Sequence, residues 1–499
     1  MRQGRAGRAR LALAALLLAT PTVLAFFSGG YFSVTHGQVG VLTTALAWLL
    51  VAVVFLLEPE PLPPSRAGRI ALAGLAGLTV WSALSLLWSP LLDPGLADVG
   101  RTALYLAAFL LGAAVLRGPK LDRAVEPALL AGIAIVCGYA LATRLLPGIV
   151  EATAGQRAGS RLDQPLTYWN AMGALASMGL MLAVHTGSDA RRGARLRIGA
   201  AALVPPLGLV LFLTVSRGAH VAAIGGLIVL ALLARNRRAL DTSLMGLALV
   251  TIMAGLAARF PGVVELQGSE GARQREALAV LGLMLLLSAV VAVCQAVLIR
   301  LEARGQTWTG VVRRRPAMVA LAGLVAVGVA AIGIAAFTGG EVSASPDQKG
   351  PERLRTLETN RWHYWEVALD TFAEHPLTGS GVHGFAADWF ERRDIDESVQ
   401  DAHSLYIETL TELGLPGLAL LLCFLGATGV ALVRAGEPGW AAASAVWALH
   451  AAVDWDWEMP ALTLVFLLLA ATAAGRDASA TAASTQSAGS AANRKRVTP

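Results

Sequence analysis

Apolar runs of membrane-spanning length follow one another along most of the chain. A helix that crosses the hydrocarbon core of a bilayer needs about 20 mostly apolar residues. Fourteen candidate runs are present, at residues 11–28, 37–57, 69–88, 99–117, 125–146, 168–186, 196–215, 219–234, 239–258, 277–298, 317–338, 414–434, 439–453 and 459–475. Two of the runs are short, so the pattern predicts an all-α, polytopic transmembrane bundle of 12–14 helices.

A long polar stretch interrupts this series and predicts a large, partly helical extracytoplasmic loop. Its apolar residues recur at spacings that favour an amphipathic helix along the membrane surface. They are Trp362, Trp365, Val367, Leu369 and Phe372. Residues 404–413 predict a second short helix before the turn that leads back into lipid.

The chain therefore divides into four predicted regions. They are the transmembrane bundle of helices 1–11 (1–338), the extracytoplasmic loop with amphipathic helices (339–413), the last transmembrane helices (414–475) and a disordered cytoplasmic tail (476–499).

Composition excludes several other classes of protein. Hydrophobic residues make up 55% of the chain and charged residues 15%, whereas soluble domains carry about 25% charged residues. A soluble globule would lack a charged surface. The three cysteines all lie in apolar runs without metal-ligand spacing, so neither a disulfide framework nor a metal site is predicted.

The basic residues predict the orientation of the chain. With the N-terminus inside, 26 of the 40 lysines and arginines fall in the tails and inner links. Positively charged connections face the cytoplasm in membrane proteins, so both termini are predicted to be cytoplasmic in a multi-pass protein of the inner (cytoplasmic) membrane. The net charge of +6 then reflects topology, and no nucleic-acid partner is predicted.

The candidate chemistry lies where the outer loops meet the membrane. Arg217 falls between two apolar runs without room for a solvated loop. It is either an interfacial arginine whose head reaches the lipid headgroups or a functional residue. A guanidinium suits a phosphate, because it binds oxyanions through two parallel hydrogen bonds and stays charged.

Other polar residues share these outer junctions. Arg161 and Arg361 are either surface charges or members of the same anion pocket, and Asn170 lies in the same link as Arg161. His403 is either a proton acceptor or a structural histidine. Asp454 is expected to bind substrate or to pair with an arginine and orient it.

Several segments, taken together and in order, resemble the O-antigen ligase and polymerase superfamily. They are RWHYWEVA from Arg361, HPLTGSGVHGF from His375 and AHSLYIETLTELGLPG from Ala402, joined by the Ser216-Arg217-Gly218 junction and the segment from Arg161 to Asn170. Ser404 stands where many members have asparagine.

The resemblance implies a GT-C-like membrane glycosyltransferase. Such an enzyme moves a glycan from an undecaprenyl-diphosphate carrier to a lipid or glycan acceptor at the outer face of the cytoplasmic membrane, with inversion and without a metal or cofactor. By motif, the catalytic residues are Arg217, Arg361 and His403. Arg161, Asn170 and Asp454 are expected to bind substrate, and the partners include membrane lipids and other polysaccharide-export proteins.

Three alternatives remain open from the sequence. A polysaccharide repeat polymerase would use the same chemistry on a different acceptor. A small-solute transporter, of the bicarbonate-like kind, would place its polar groups near the bilayer midplane. A sensor or scaffold would use the outer loop as a ligand-binding surface.

Overall fold

The computed structural model describes residues 2–31, 36–58, 60–150, 158–233, 248–304 and 360–476, and within them the chain is helical without a β-strand. The predicted all-α class is therefore confirmed. The helices are α1 (Arg2–Ala25), α2 (His36–Leu57), α3 (Arg66–Ser85), α4 (Leu92–Val115), α5 (Pro119–Leu145), α6 (Trp169–Ser188), α7 (Ala194–Ala202), α8 (Val204–Leu213), α9 (Arg217–Leu233), α10 (Ala248–Ala257), α11 (Pro261–Val264), α12 (Glu270–Ala303), α13 (Arg361–Glu374), α14 (Phe385–Arg392), α15 (Leu405–Ala435), α16 (Pro438–His450) and α17 (Pro460–Ala474).

Many of these helices have the length and composition of membrane spans. In the described part of the chain, eight segments are long and apolar enough to cross a bilayer, and shorter apolar helices lie among them. The eight are Gly7–Ala25, Arg66–Ser85, Leu92–Val115, Pro119–Leu145, Trp169–Ser188, Ala194–Leu213, Glu270–Ala303 and Leu405–Ala435. The predicted run 317–338 lies outside the described residues, so the count of 12–14 helices stays a prediction.

One predicted span is divided in two. The run 196–215 forms α7 and α8, which meet at Leu203. Pro205 and Pro206 follow this junction, and a proline nitrogen cannot donate to the helical hydrogen-bond ladder. The apolar pattern does not register this break, because apolar residues continue on both sides of the two prolines.

The connections between helices gather at two opposite ends of the bundle. One end, here called the site end, is formed by residues 26–31, 86–91, 158–168, 214–216, 375–404 and 451–459, which contact one another. The opposite end holds residues 58–65, 116–118, 189–193, 436–437 and 475–476. This alternation is the arrangement that successive crossings of a bilayer produce.

The predicted amphipathic helix exists as α13 and carries apolar residues on two faces, while its position along the membrane surface stays a prediction. Residues such as Tyr364 and Ala368 are buried against α14 in a small separate apolar core, whereas Trp362 is 67% exposed and Leu369 is 44% exposed. The two faces follow from the helical period of 3.6 residues, which separates residues 362 and 369 from 364 and 368.

The predicted short helix at 404–413 runs into the next span through a kink at Gly414. Gly414 has φ 64° and ψ −166°, a conformation that glycine alone adopts readily. A Cβ atom there would lie 2.6 Å from the backbone of Leu377. The kink therefore lets the chain after α13 pack directly on α15 and fixes residues 375–404 at the site end.

Candidate active site

Asp454 lies at the centre of the polar contacts at the site end. It follows α16 and is 1% exposed. Its Oδ2 accepts hydrogen bonds from Arg361 Nη2 at 2.7 Å and Asn170 Nδ2 at 2.7 Å, and its Oδ1 accepts from the Tyr168 hydroxyl at 2.6 Å and the Trp455 backbone N–H at 3.0 Å. Four donors compensate for removing this carboxylate from water.

Arg361 is the first residue of α13 and reaches across the site end to this carboxylate. The ion pair joins the helices after the long loop to the turn that follows α16. Burial acts against the charged guanidinium, but Asp454 and the other nearby acidic groups together outweigh it, so the pKa of Arg361 lies above its ordinary value. Burial also opposes ionisation of Asp454, yet Arg361, the nearby histidines and the Tyr168 hydrogen bond together hold the pKa of this carboxyl below its usual range.

His403 stands immediately before the start of α15. Its Nδ1 lies 2.9 Å from the carbonyl oxygen of Asp401, and because a carbonyl only accepts, Nδ1 carries the hydrogen and Nε2 keeps a lone pair. The ring lies 5.2 Å from that of Tyr364 and 6.4 Å from that of Trp455. Burial lowers the pKa of His403, so the ring is neutral at neutral pH.

The backbone of His403 is also unusual. Its φ is +55°, in the left-handed region that side chains other than glycine rarely occupy. Ser404 then begins α15, and its side chain accepts a hydrogen bond from the backbone N–H of Ile407. Such strained conformations concentrate at functional sites, because the surrounding structure must hold them in place.

Arg161 and Asn170 lie on either side of the entry to α6. The guanidinium of Arg161 stacks 3.4 Å from the centre of the Trp169 ring, and its Nε donates to the Ala158 carbonyl. Asn170, which follows Trp169, donates to Asp454. Arg161 therefore contacts Trp169, the sequence neighbour of the residue that donates to Asp454.

Arg217 begins α9 at the same end of the bundle. Ser216 caps the helix by accepting a hydrogen bond from the Ala219 backbone N–H at 3.3 Å. A Cβ atom on Gly218 would lie 3.2 Å from Val453 and 3.3 Å from the His450 ring, so the start of α9 packs on the turn that leads to Asp454. The positive end of the α9 dipole thus lies beside this turn, and Arg217, which is half-buried, is the first residue of the helix.

Two aromatic residues that sequence reasoning did not single out complete the group. Tyr168 and Trp455 stack with ring centres 4.3 Å apart, and the ring of Tyr31 lies 4.6 Å from that of Trp455. Trp455 follows Asp454 in the sequence, and Tyr168 lies two residues before Asn170. This proximity is only a weak indication of a role in the site, because tryptophan and tyrosine are also common at membrane interfaces.

A second ionic group borders the first and was also missed. Arg101 pairs with Asp98 at 2.8 Å and with Glu458 at 3.3 Å, and His383 Nδ1 lies 2.8 Å from Asp98 Oδ2. Asp98 and Arg101 lie at the start of a predicted membrane helix, where a charge at one end of an apolar run is easily taken for a boundary residue.

These features define a polytopic all-α membrane protein with a buried ionic and aromatic site at one end of its helices. Residues 271–422 match the family model described as O-antigen ligase. This match supports the resemblance to the O-antigen ligase superfamily seen in the sequence. The matched range contains Arg361 and His403, while the other predicted site residues lie outside it. No curated protein matches the chain.

Proposed function

We propose that the protein is a membrane glycosyltransferase of the O-antigen ligase type. It transfers a glycan from an undecaprenyl-diphosphate carrier to a lipid or glycan acceptor at the outer face of the cytoplasmic membrane. The observation that carries the proposal is the neutral His403 at the same end of the bundle as the Arg361–Asp454 pair and the start of α9. In this proposal the site end faces outwards, and both termini then lie in the cytoplasm.

The leaving group requires positive charge where its diphosphate oxygens become more negative. Arg361 and Arg217 supply that charge in a partly water-excluded setting, where fixed cations stabilise a developing anion strongly. Asp454 positions Arg361 through the 2.7 Å hydrogen bond. Two guanidinium groups can thereby take the role that a metal ion has in other phosphate chemistry, which supports a metal-independent reaction.

The acceptor must lose a proton as it attacks. Its hydroxyl oxygen forms a bond to the anomeric carbon while the bond from that carbon to the diphosphate oxygen breaks, and the diphosphate leaves with the electron pair. His403 Nε2 accepts the hydroxyl proton, as a general base of suitable pKa does. A single displacement of this kind inverts the anomeric carbon.

The bundle also offers a place for the prenyl chain of the donor. An apolar cleft between α5, α8 and α12 is lined by Cys137, Leu141, Leu207, Leu281 and Met284, among others. Its α5 residues belong to the half of that helix nearer the site end. A lipid tail in this cleft would extend from the membrane towards the ionic group.

Alanine substitutions test the catalytic assignment in a strain that lacks the chromosomal gene. Arg217→Ala and His403→Ala should each abolish surface-glycan attachment, because one loses leaving-group stabilisation and the other the base. His363→Ala is the control and should keep activity, because His363 is a half-buried histidine of α13 that pairs with Asp394. Normal glycan in both site variants, at unchanged membrane abundance, contradicts the mechanism.

A repeat polymerase is the second candidate, since the same residues would serve an acceptor that is itself carrier-linked. Glycan profiles of the deletion strain separate the two. Loss of chain length indicates a polymerase, whereas carrier-linked polymer that is retained but not attached indicates a ligase.

A further inference from the structure

Three carboxylates, of which those of Asp401 and Glu458 are buried, form a group beside the candidate active site that the proposed reaction does not use. Oxygen atoms of Asp401, Glu408 and Glu458 all lie within 4.8 Å of one another. They come from three segments of the chain: the loop before α15, the start of α15, and the short turn Asp456–Glu458 between α16 and α17. An ion held between them would therefore join parts of the chain that are distant in sequence.

The hydrogen bonds of these residues leave one buried oxygen without a partner. Asp401 accepts from the Tyr31 hydroxyl at 2.9 Å, Glu408 from the Ala402 backbone N–H at 2.7 Å, and Glu458 Oε1 from Arg101 at 3.3 Å. Glu458 is 4% exposed. Its Oε2 has no hydrogen-bond partner among the residues that the structure describes, although buried polar atoms are nearly always satisfied.

Negative charge exceeds positive charge around this group. Arg101 is the nearby guanidinium, but Glu458 shares it with Asp98. His383 pairs with Asp98. The carboxylates of Asp401 and Glu408 accept hydrogen bonds from neutral donors, so further positive charge would stabilise the group.

We propose that Asp401, Glu408 and Glu458 bind a hard divalent cation, and that Ca²⁺ is the ion that fits best. Ca²⁺ takes oxygen ligands at about 2.3–2.6 Å, so oxygens on opposite sides of the ion are about 5 Å apart. Oxygens that all lie within 4.8 Å of one another can therefore surround one such ion. Mg²⁺ requires shorter bonds and stricter octahedral geometry, and it keeps more of its water.

The ion has a structural role in this proposal. It fixes Asp401, whose carbonyl oxygen accepts the hydrogen bond from His403, to the start of α15 and to the turn before α17. The ion does not contact the diphosphate and replaces neither arginine. Binding is expected whether or not the protein transfers a glycan, so this proposal and the proposed function fail independently.

Calorimetric titration of the full-length protein in detergent tests the site. One Ca²⁺ per chain should bind with a Kd of about 10⁻⁴ to 10⁻³ M, the range of extracellular calcium modules. Glu408→Gln and Glu458→Gln should each weaken binding by about tenfold or more, because each removes one anionic ligand. Glu412→Gln is the matched control, since Glu412 is a buried carboxylate one turn further along α15 that accepts from the Phe385 backbone N–H, and its affinity should change little.

Terbium luminescence gives a second readout that does not depend on the variants folding. Tb³⁺ in this site would be excited through nearby aromatic residues such as Tyr31 and Trp457, and Ca²⁺ should displace it. The proposal is overturned if neither Ca²⁺ nor Mg²⁺ binds saturably and Tb³⁺ shows no sensitised emission. Unchanged affinity in both glutamine variants does so too, and tighter binding of Mg²⁺ than of Ca²⁺ overturns the assignment of the ion.

Discussion

At the scale of single residues, the environment of His403 determines how the candidate reaction should depend on pH. The ring acts as a base only when it is neutral, so the rate should rise as pH increases through its pKa and then level off. Burial places that pKa below its ordinary value, the Asp454 carboxylate raises it, and Arg361 lowers it. The acid limb of the pH–rate profile should therefore have its midpoint below about 6.5.

The substitution Asp454→Asn tests this electrostatic coupling. Removal of the carboxylate charge should lower the pKa of His403 further, so the acid limb should move to still lower pH. The plateau rate should fall by about 10- to 100-fold, because Arg361 loses the partner that orients it. A pH–rate series with purified enzyme and lipid-linked donor measures both effects, and a midpoint that stays fixed or moves upwards refutes the role of Asp454.

At the level of residues, the sequence could single out those whose type is unusual for their position at a helix end. An arginine without a loop around it, as at Arg217, stands out because lipid tolerates no unexplained charge. The partners of such residues could not be predicted from the sequence. The hydrogen bond from Tyr168 to Asp454, for example, joins residues 286 positions apart. No local pattern encodes that contact, since it exists only once α6 and α16 pack together.

At the scale of elements, the kink in α15 decides where the helices of the long loop are placed. Gly414→Ala would force a Cβ atom to within 2.6 Å of the Leu377 backbone in a conformation open to glycine. Strain of this kind costs about 1–3 kcal/mol before any clash is counted. The variant should therefore unfold at a clearly lower temperature than the wild type.

Gly426→Ala is the control for that prediction. It lies in the same helix, and a Cβ atom there would meet nothing within 4 Å. Alanine is favoured over glycine within helices by about 0.8–1 kcal/mol, so its melting temperature should be unchanged or slightly higher. Thermal unfolding of the detergent-purified proteins compares them. Equal melting temperatures for the two variants would contradict the claim that the kink at Gly414 requires glycine.

Helix positions were largely predictable, because the apolar runs are dictated by the thickness of lipid. The sequence also predicted that the Gly414-Leu-Pro-Gly segment joins a short helix to the next span. The structure makes this junction as a kink within α15, a geometry that the turn-forming residues did not specify. The fold of α13 on α14 depends on contacts such as Tyr364 with Trp389, whose ring centres are 5.0 Å apart, and those contacts follow from tertiary packing.

At the scale of the whole molecule, the two ends of the bundle should face opposite sides of the membrane. The basic links predict that the site end faces outwards, and glycan transfer at the outer face requires that orientation. Introduced cysteines test it in a variant whose three native cysteines are replaced. Asp396 at the site end and Arg195 at the opposite end are suitable positions, because both are exposed.

An impermeant maleimide should label Asp396→Cys in intact cells, whereas Arg195→Cys should react only after the membrane is made permeable. The reason is electrostatic: short loops rich in lysine and arginine stay on the cytoplasmic side during insertion, and Arg195 lies in the first turn of α7, directly after such a loop. Labelling in detergent first establishes that both thiols are reactive. The opposite pattern in cells would place the Arg361–Asp454 pair in the cytoplasm, where an acceptor on the outer leaflet cannot reach His403.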